Sequence, residues 1–129
     1  MKLRVRGNSM RLRVSRSEVA RLLAGDRLEE TIYFAPRAGA RLTYALQQEE
    51  LAKVPAVQYT ENTVLVLLPA DQANVWGSSD QVGIAEEISM GDFGTLALLI
   101  EKDFSCLDRR EEDDQDTFAN PKAGAQCTS

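Results

Sequence analysis

The amino-acid sequence predicts a fold of the α+β class that is mostly β: two ββαββ units that form one barrel-like domain, followed by an irregular acidic tail. Three observations predict it. Several short runs alternate apolar and polar residues with the period of two that is typical of strands. Two short stretches of helical periodicity interrupt those runs. The order of these elements in residues 1–50 recurs in residues 55–104.

The first predicted element is a basic β-hairpin. Residues 2–14, KLRVRGNSMRLRV, alternate apolar with basic side chains. A two-residue turn at Asn8-Ser9 would pair Arg6 with Arg11 and place every apolar side chain on one face. Like charges that face each other across two strands are destabilising. The opposite face of the hairpin therefore requires water, counter-ions or an anionic partner.

A short helix and a second hairpin follow the basic hairpin. Ser15 and Glu18 have the spacing of a capping box, and an apolar stripe about one helical turn long follows them. Strands are predicted at residues 27–35 and 40–47, on either side of a turn at residues 36–39.

The same order of elements recurs in the second half of the chain. A hairpin with its turn at residues 61–62 precedes a short helix in PADQANVWGSSD and two strands in QVGIAEEI and TLALLIEKDF. An offset of 54 residues places Leu12 on Val66 and Leu28 on Val82. This pattern is typical of a tandem duplication, and helices this short need a shared core to persist. The predicted core residues are Leu12, Val19, Leu22, Val66, Trp76, Val82 and Leu99.

The run MRLRVSRSEVARLLAGDRLEETIYF resembles the AbrB-type swapped-hairpin domains. Those domains combine a strand that ends in proline, a short helix, a Gly-Asp turn and a hairpin. Gly25-Asp26 matches the turn, and Arg11 stands where the family often has an arginine that opens a strand. Residues 67–69, Leu-Leu-Pro, match the step from strand through proline to helix, whereas Ser15 replaces the first proline.

The resemblance covers residues 1–47 well and residues 55–101 more loosely. It implies domains that dimerise by exchanging hairpins and that bind DNA through basic residues of the first half. A chain with two copies would build that fold alone, as a monomeric pseudo-dimer or a weak homo-oligomer. Separately, residues 101–121 resemble the ending of a group of small bacterial proteins of unknown function, a likeness that implies no activity.

The composition argues against most hydrolases. The 129 residues include no histidine, which removes Ser-His-Asp and Cys-His nucleophiles and the commonest transition-metal ligand. Cys106 and Cys127 form no CxxC motif, and no apolar run is long enough to span a membrane, which favours a cytoplasmic protein. We therefore expect no enzymatic activity, no cofactor and no metal, in a single domain at residues 1–104 with a tail at residues 105–129.

Charge is distributed unevenly along the chain, whose net charge is −5. Residues 1–21 hold seven Lys or Arg and one acid, whereas residues 101–116 hold three bases and eight acids. Cations spaced two apart on a strand share one face, which suits the phosphates of a nucleic acid. The candidate residues for binding nucleic acid or another anion are Lys2, Arg4, Arg6, Arg11, Arg13 and Arg16.

Other interpretations of these charges remain open. The cationic face of the first hairpin can simply be solvated. It can also be neutralised by residues 101–116 or by the acidic strands near 29–30 and 86–87. Glu101 and Asp103 share one face of a strand, but a single pair of this kind is far more often exposed to solvent than catalytic.

Two functions from different classes follow. In the first, the protein is a non-enzymatic regulatory module that binds DNA, or an acidic protein segment, through the basic hairpin. In the second, it is a protein-interaction domain whose acidic tail engages a basic partner, an arrangement similar to AbrB-like antitoxins. A carboxylate-based enzyme or a small-ligand barrel is the least supported.

Overall fold

The computed structural model describes residues 1–104, which form eight strands and two short helices. The elements are β1 (Lys2–Arg6), β2 (Ser9–Val14), α1 (Arg16–Leu23), β3 (Leu28–Tyr33), β4 (Arg41–Glu49), β5 (Ala56–Thr60), β6 (Thr63–Pro69), α2 (Ala70–Gly77), β7 (Gly83–Ser89) and β8 (Thr95–Lys102). A short 3-10 turn, Gly91–Phe93, joins the last two strands. The predicted mostly-β α+β class is confirmed.

The strands form two four-stranded mixed sheets. Sheet I has the strand order β1-β2-β8-β7, and sheet II has the order β3-β4-β6-β5. The central pairs, β2 with β8 and β4 with β6, are parallel, and the outer pairs are antiparallel. Within the described residues no strand pairing joins one sheet to the other, so the expected closure into a barrel is wrong. Each sheet instead ends in two edge strands, and the core fills the space between the sheets.

The pairing registers of the two sheets match after a shift of 54 residues. Leu12 pairs with Ile100 in sheet I, as Val66 pairs with Leu46 in sheet II. The hairpins β1–β2 and β5–β6 follow the same shift, because Leu3 pairs with Leu12 as residue 57 pairs with residue 66. Each half of the chain therefore contributes one hairpin to each sheet.

Strand β7 departs from that shift by two residues. Ile84, and not Val82, pairs with Ile100 in the way that Leu28 pairs with Leu46. Ile84 lies seven residues after the end of α2, whereas Leu28 lies five residues after the end of α1, and the hairpin loop that follows β7 is two residues shorter than the one that follows β3. The expectation that Val82 is buried is consequently wrong: Val82 is 49% exposed, and Ile84, at 6%, takes its place in the core.

One hydrophobic core connects both sheets and both helices. The expected core residues Leu12, Leu22, Val66 and Trp76 are fully buried, and Val19 is buried as well. Leu99 is only half-buried, because its neighbours 98 and 100 are the β8 residues that face the core.

The first hairpin turns one residue earlier than predicted. Its central residues are Gly7 and Asn8, and the positive φ of Gly7 (55°) suits a two-residue hairpin turn. Arg4 consequently faces Arg11, and the expected pairing of Arg6 with Arg11 is wrong. The shift in pairing is an even number of residues, so the cations still share one face.

Candidate anion-binding face

The outer side of sheet I carries the basic residues, and we call it the basic face. It consists of the β1, β2, β8 and β7 residues that alternate with those facing the core. The pairing registers align these residues in three rows across the sheet: Arg6, Ser9, Ala97 and Glu87; then Arg4, Arg11, Leu99 and Ala85; then Lys2, Arg13, Glu101 and Gly83.

Five of the six predicted binding residues therefore lie together on the basic face. The sixth, Arg16, begins helix α1 and lies outside the three rows. The rows combine five cations with two carboxylates, those of Glu87 and Glu101.

The outer side of sheet II shows that the fold does not require these cations. The equivalent rows there are Thr60, Thr63, Thr43 and Thr31; then Gln58, Leu65, Ala45 and Glu29; then Ala56, Leu67 and Gln47. At all five positions that are basic in sheet I, sheet II has a neutral residue. Glu101 is replaced by Gln47 in the same comparison.

Glu101 connects the two arginines of β2. Its carboxylate oxygen Oε1 accepts a hydrogen bond from Arg13 Nε at 2.8 Å and lies 3.5 Å from Arg11 Nε. Glu101 is only 6% exposed, and a buried carboxylate is costly unless it is paired. The two arginines supply that pairing.

Gly83 on β7 makes room on the other side of Glu101. A Cβ atom at Gly83 would lie 2.8 Å from the carbonyl oxygen of Ile100 and 3.2 Å from Glu101 Cβ. The absence of a side chain at residue 83 therefore lets β7 approach β8 closely beside the buried carboxylate.

Asp103 anchors the end of β8 to the first strand. Its backbone N–H donates to the carbonyl oxygen of Val14 at 2.9 Å, and its Oδ2 lies 3.1 Å from Lys2 Nζ. Glu101 and Asp103 are thus both engaged with cations and do not form a free carboxylate pair for acid–base catalysis.

The remaining cations have no such partner among the described residues. Arg4, Arg6 and Arg16 are exposed, and no carboxylate within residues 1–104 forms an ion pair with them. Glu29 pairs with Arg27, on sheet II, and Glu30 pairs with the amino group of Met1. In the described chain the carboxylates that form ion pairs with cations of the basic face are therefore those at 101 and 103.

A groove of ≈430 Å³ opens on the basic face. The small side chains of Ala85 and Ala97 line the groove. Arg11 on β2 and Glu87 on β7 lie on opposite sides of it, across β8. Arg11 lines this groove, whereas Glu101 does not.

A second cluster of charges fixes the start of β1. The amino group of Met1 forms ion pairs with Glu18 and Glu30. Burial alone would raise the pKa of Glu18, but hydrogen bonds from the Met1 amine and from Ser15 outweigh it and lower the pKa below its ordinary value. Burial, with the nearby charges of Glu30 and Glu18, raises the pKa of Tyr44. The cluster holds the basic hairpin against α1 and β3.

Metal ligands do not gather in the part of the chain that the structure describes: residues 1–104 contain no group of three Cys, Asp or Glu able to hold an ion. Neither described helix has the length and apolar character needed to cross a membrane. The acidic segment 111–116 and both cysteines, Cys106 and Cys127, lie outside the described residues.

Sequence reasoning found the cations and offered residues 101–116 as one source of neutralising acids, which Glu101 and Asp103 are. It did not identify the individual contacts of Glu101 with Arg11 and Arg13. The parallel pairing of β2 with β8 brings residues 13 and 101 together, although they are 88 positions apart. The acidic composition of residues 101–116 signalled neutralisation, but no local pattern showed which carboxylate would meet which arginine.

Comparison with known proteins identifies one family. The model of the family described as "Family of unknown function (DUF7009)" matches residues 1–122, which include the whole acidic segment 111–116. No curated protein and no solved structure matches the chain, and no AbrB or swapped-hairpin relative is identified.

Proposed function

The chain belongs to the DUF7009 family, and we propose that it is a non-enzymatic module whose basic face binds the phosphate backbone of duplex nucleic acid. The observation that carries the proposal is the contrast between the two sheets. Five cations occupy one outer face, and the equivalent residues of the other face are neutral. Both sheets share one topology, so this topology does not by itself require cations on an outer face.

The spacing of the cations supports a polyanionic partner. Arg4 and Arg6, like Arg11 and Arg13, are two residues apart on a strand, which separates their Cα atoms by about 7 Å. A row of cations at this spacing can contact several charges of one polymer at once, and such contacts supply most of the affinity for nucleic acid.

The chemistry of the face favours a duplex over a single strand. Single-stranded nucleic acid is usually bound by aromatic side chains that stack on the bases. The three rows of the basic face contain no aromatic residue. Contacts to phosphates position a protein on a duplex without reading its sequence, so the expected binding is weakly sequence-specific.

The matching registers support a tandem duplication of the ββαββ unit. Each sheet combines one hairpin from each half, which is the arrangement that a swapped-hairpin pseudo-dimer requires. In this proposal the two halves share the structural role, and only the first hairpin carries the binding residues.

Charge reversal on the basic face, with acids added at the equivalent positions of sheet II as the control, tests the proposal. Arg4→Glu with Arg6→Glu should abolish binding to a labelled duplex at low salt, as measured by fluorescence anisotropy. Gln58→Glu with Thr60→Glu changes the equivalent positions of sheet II and should leave most of the binding. Equal losses in both variants, or no binding by the wild-type protein, would exclude a duplex as the partner of the basic face.

The alternative function is a protein-interaction module whose acidic residues 105–129 engage a basic partner. Those residues lie outside the described part of the chain, so this function stays a prediction from the sequence.

A further inference from the structure

The geometry points to Glu101 as a positioning residue that holds Arg11 and Arg13 as a two-guanidinium site for one phosphate group. This inference deepens the proposed function and rests on it, because it names the chemical group that the basic face would take and the residues that would take it. Phosphate contacts by Lys2, Arg4 or Arg6 do not depend on Glu101.

The contacts of Glu101 leave the binding edges of both arginines available. Glu101 Oε1 meets each guanidinium at its Nε atom, at 2.8 Å for Arg13 and 3.5 Å for Arg11. No other described residue forms an ion pair with either arginine. The terminal nitrogens, which form the fork that binds phosphate oxygens, are thus not consumed by the carboxylate.

The placement of Glu101 is specific to the basic face. Where sheet I has Arg11, Arg13 and Glu101, sheet II has residues 65, 67 and 47, which are Leu, Leu and Gln. The carboxylate thus occurs together with the two arginines that it contacts. Sheet II has neither the carboxylate nor the arginines at the equivalent positions.

Electrostatics alone does not explain a carboxylate at this position. A face that attracted phosphates only by its net charge would bind better without Glu101, because the carboxylate cancels one of the two positive charges beside it. A buried carboxylate also carries a desolvation cost. Its benefit is that two flexible side chains are fixed before the ligand arrives, so less side-chain entropy is lost on binding.

Two substitutions at residue 101 separate positioning from charge. Glu101→Gln keeps an oxygen that can accept from Arg13 Nε but removes the negative charge, and glutamine already occupies the equivalent position 47. Glu101→Leu removes both the charge and the acceptor. Simple Coulomb attraction predicts tighter phosphate binding in both variants, whereas positioning predicts that only the leucine variant is weakened.

The experiment titrates the full-length protein with inorganic phosphate and follows the arginine Nε–Hε signals by NMR. In the wild-type protein the Arg11 and Arg13 signals should shift together with one dissociation constant. Glu101→Leu should weaken this binding about tenfold, or about 1.4 kcal/mol, because the two arginine side chains must then be ordered when phosphate binds. Glu101→Gln should stay close to the wild-type affinity, and dispersed amide spectra would confirm that each variant is folded.

The contradicting results are equally definite. Unchanged or tighter phosphate binding by a folded Glu101→Leu variant would overturn the positioning role, as would the absence of phosphate-dependent shifts at the two arginines in the wild type. Duplex binding measured on the same samples separates the two proposals. If the protein binds duplex but the Arg11 and Arg13 signals do not shift with phosphate, only the two-arginine site is refuted. If those signals shift but the protein binds no duplex, only the proposed function is refuted.

Discussion

Leu23 of α1 occupies the space that a side chain at Gly77 of α2 would need. A Cβ atom at Gly77 would lie 2.6 Å from Leu23 Cδ1. The two residues are 54 positions apart and end the two equivalent helices, which pack against each other. A large residue on one helix is thus matched by the smallest on the other, and this difference between the halves allows close packing where equal side chains would collide.

This relationship predicts coupling between the two positions. Gly77→Ala should be less favourable in the wild-type background than in a Leu23→Ala background by about 1 kcal/mol, because removing Leu23 frees the space. A double-mutant cycle of unfolding free energies, measured with a chemical denaturant, gives this coupling. Additive effects would mean that the helices adjust without strain.

The two-residue shift of β7 predicts different costs at neighbouring positions. Ile84→Ala should lower the free energy of unfolding by about 2–5 kcal/mol, since it empties a packed core site. Val82→Ala should cost less than about 1 kcal/mol, because Val82 is half exposed. The measurement is denaturant unfolding of both variants. If Val82→Ala cost more than Ile84→Ala, Val82 would be the core residue and β7 would follow the 54-residue offset without a shift.

Glu18 predicts a pH-dependent contribution to stability. Its pKa is lowered in the folded protein, so its stabilising effect is fully present above the ordinary value of 4.5 and is lost as the pH falls below it. Glu18 Oε1 also accepts from the backbone N–H of Ser15 in the capping box. Glu18→Gln should therefore cost about 1 kcal/mol at pH 7 and much less at pH 3.

Unfolding by denaturant at the two pH values measures this difference. Glu50→Gln is the matched control, because Glu50 is exposed and forms no ion pair with any described residue. A cost for Glu18→Gln that is the same at both pH values would show that the charge of Glu18 contributes nothing.

The acidic segment 111–116 is expected to compete with a ligand for the basic face. Asp103 already pairs with Lys2, so the chain leaves β8 beside the first hairpin. Eight further residues span up to about 26 Å, more than the length of β1. Converting residues 111–114 to their amides should tighten duplex binding about tenfold at low salt, because a tethered competitor acts at millimolar concentration.

Deletion of residues 105–129 should have the same effect, and adding Arg11→Glu with Arg13→Glu should abolish the gained binding. Anisotropy titrations at two salt concentrations measure both. Unchanged affinity after the amide substitutions would show that the acidic segment does not compete for the basic face.

The element order was predictable because it depends on local signals. The capping box of Ser15 and Glu18 and the turn at residues 61–62 act within a few residues. The division into two sheets was not predictable, because the parallel pairs β2–β8 and β4–β6 join segments that are far apart in the sequence through core packing. The same holds for the burial of Ile84 in place of Val82, which depends on two compensating changes in loop length.

The candidate face was likewise predictable where it depends on local alternation and unpredictable where it depends on distant strands. Alternation along one hairpin sufficed to place Lys2, Arg4, Arg6, Arg11 and Arg13 on one side. The orientation of Arg11 and Arg13 by Glu101 depends on a strand from the other half of the chain, which no local pattern in the hairpin could reveal.

The salt dependence of duplex binding tests the central claim most directly. The logarithm of the binding constant should fall linearly with the logarithm of salt concentration, and the slope counts the phosphates that the protein contacts. Arg4→Gln with Arg6→Gln should make that slope shallower by about two. Arg37→Gln with Lys53→Gln removes the same charge from the loops on either side of β4, in sheet II, and should leave the slope unchanged. Equal slopes for the two variants would mean that binding follows overall charge, and would contradict a specific role for the basic face.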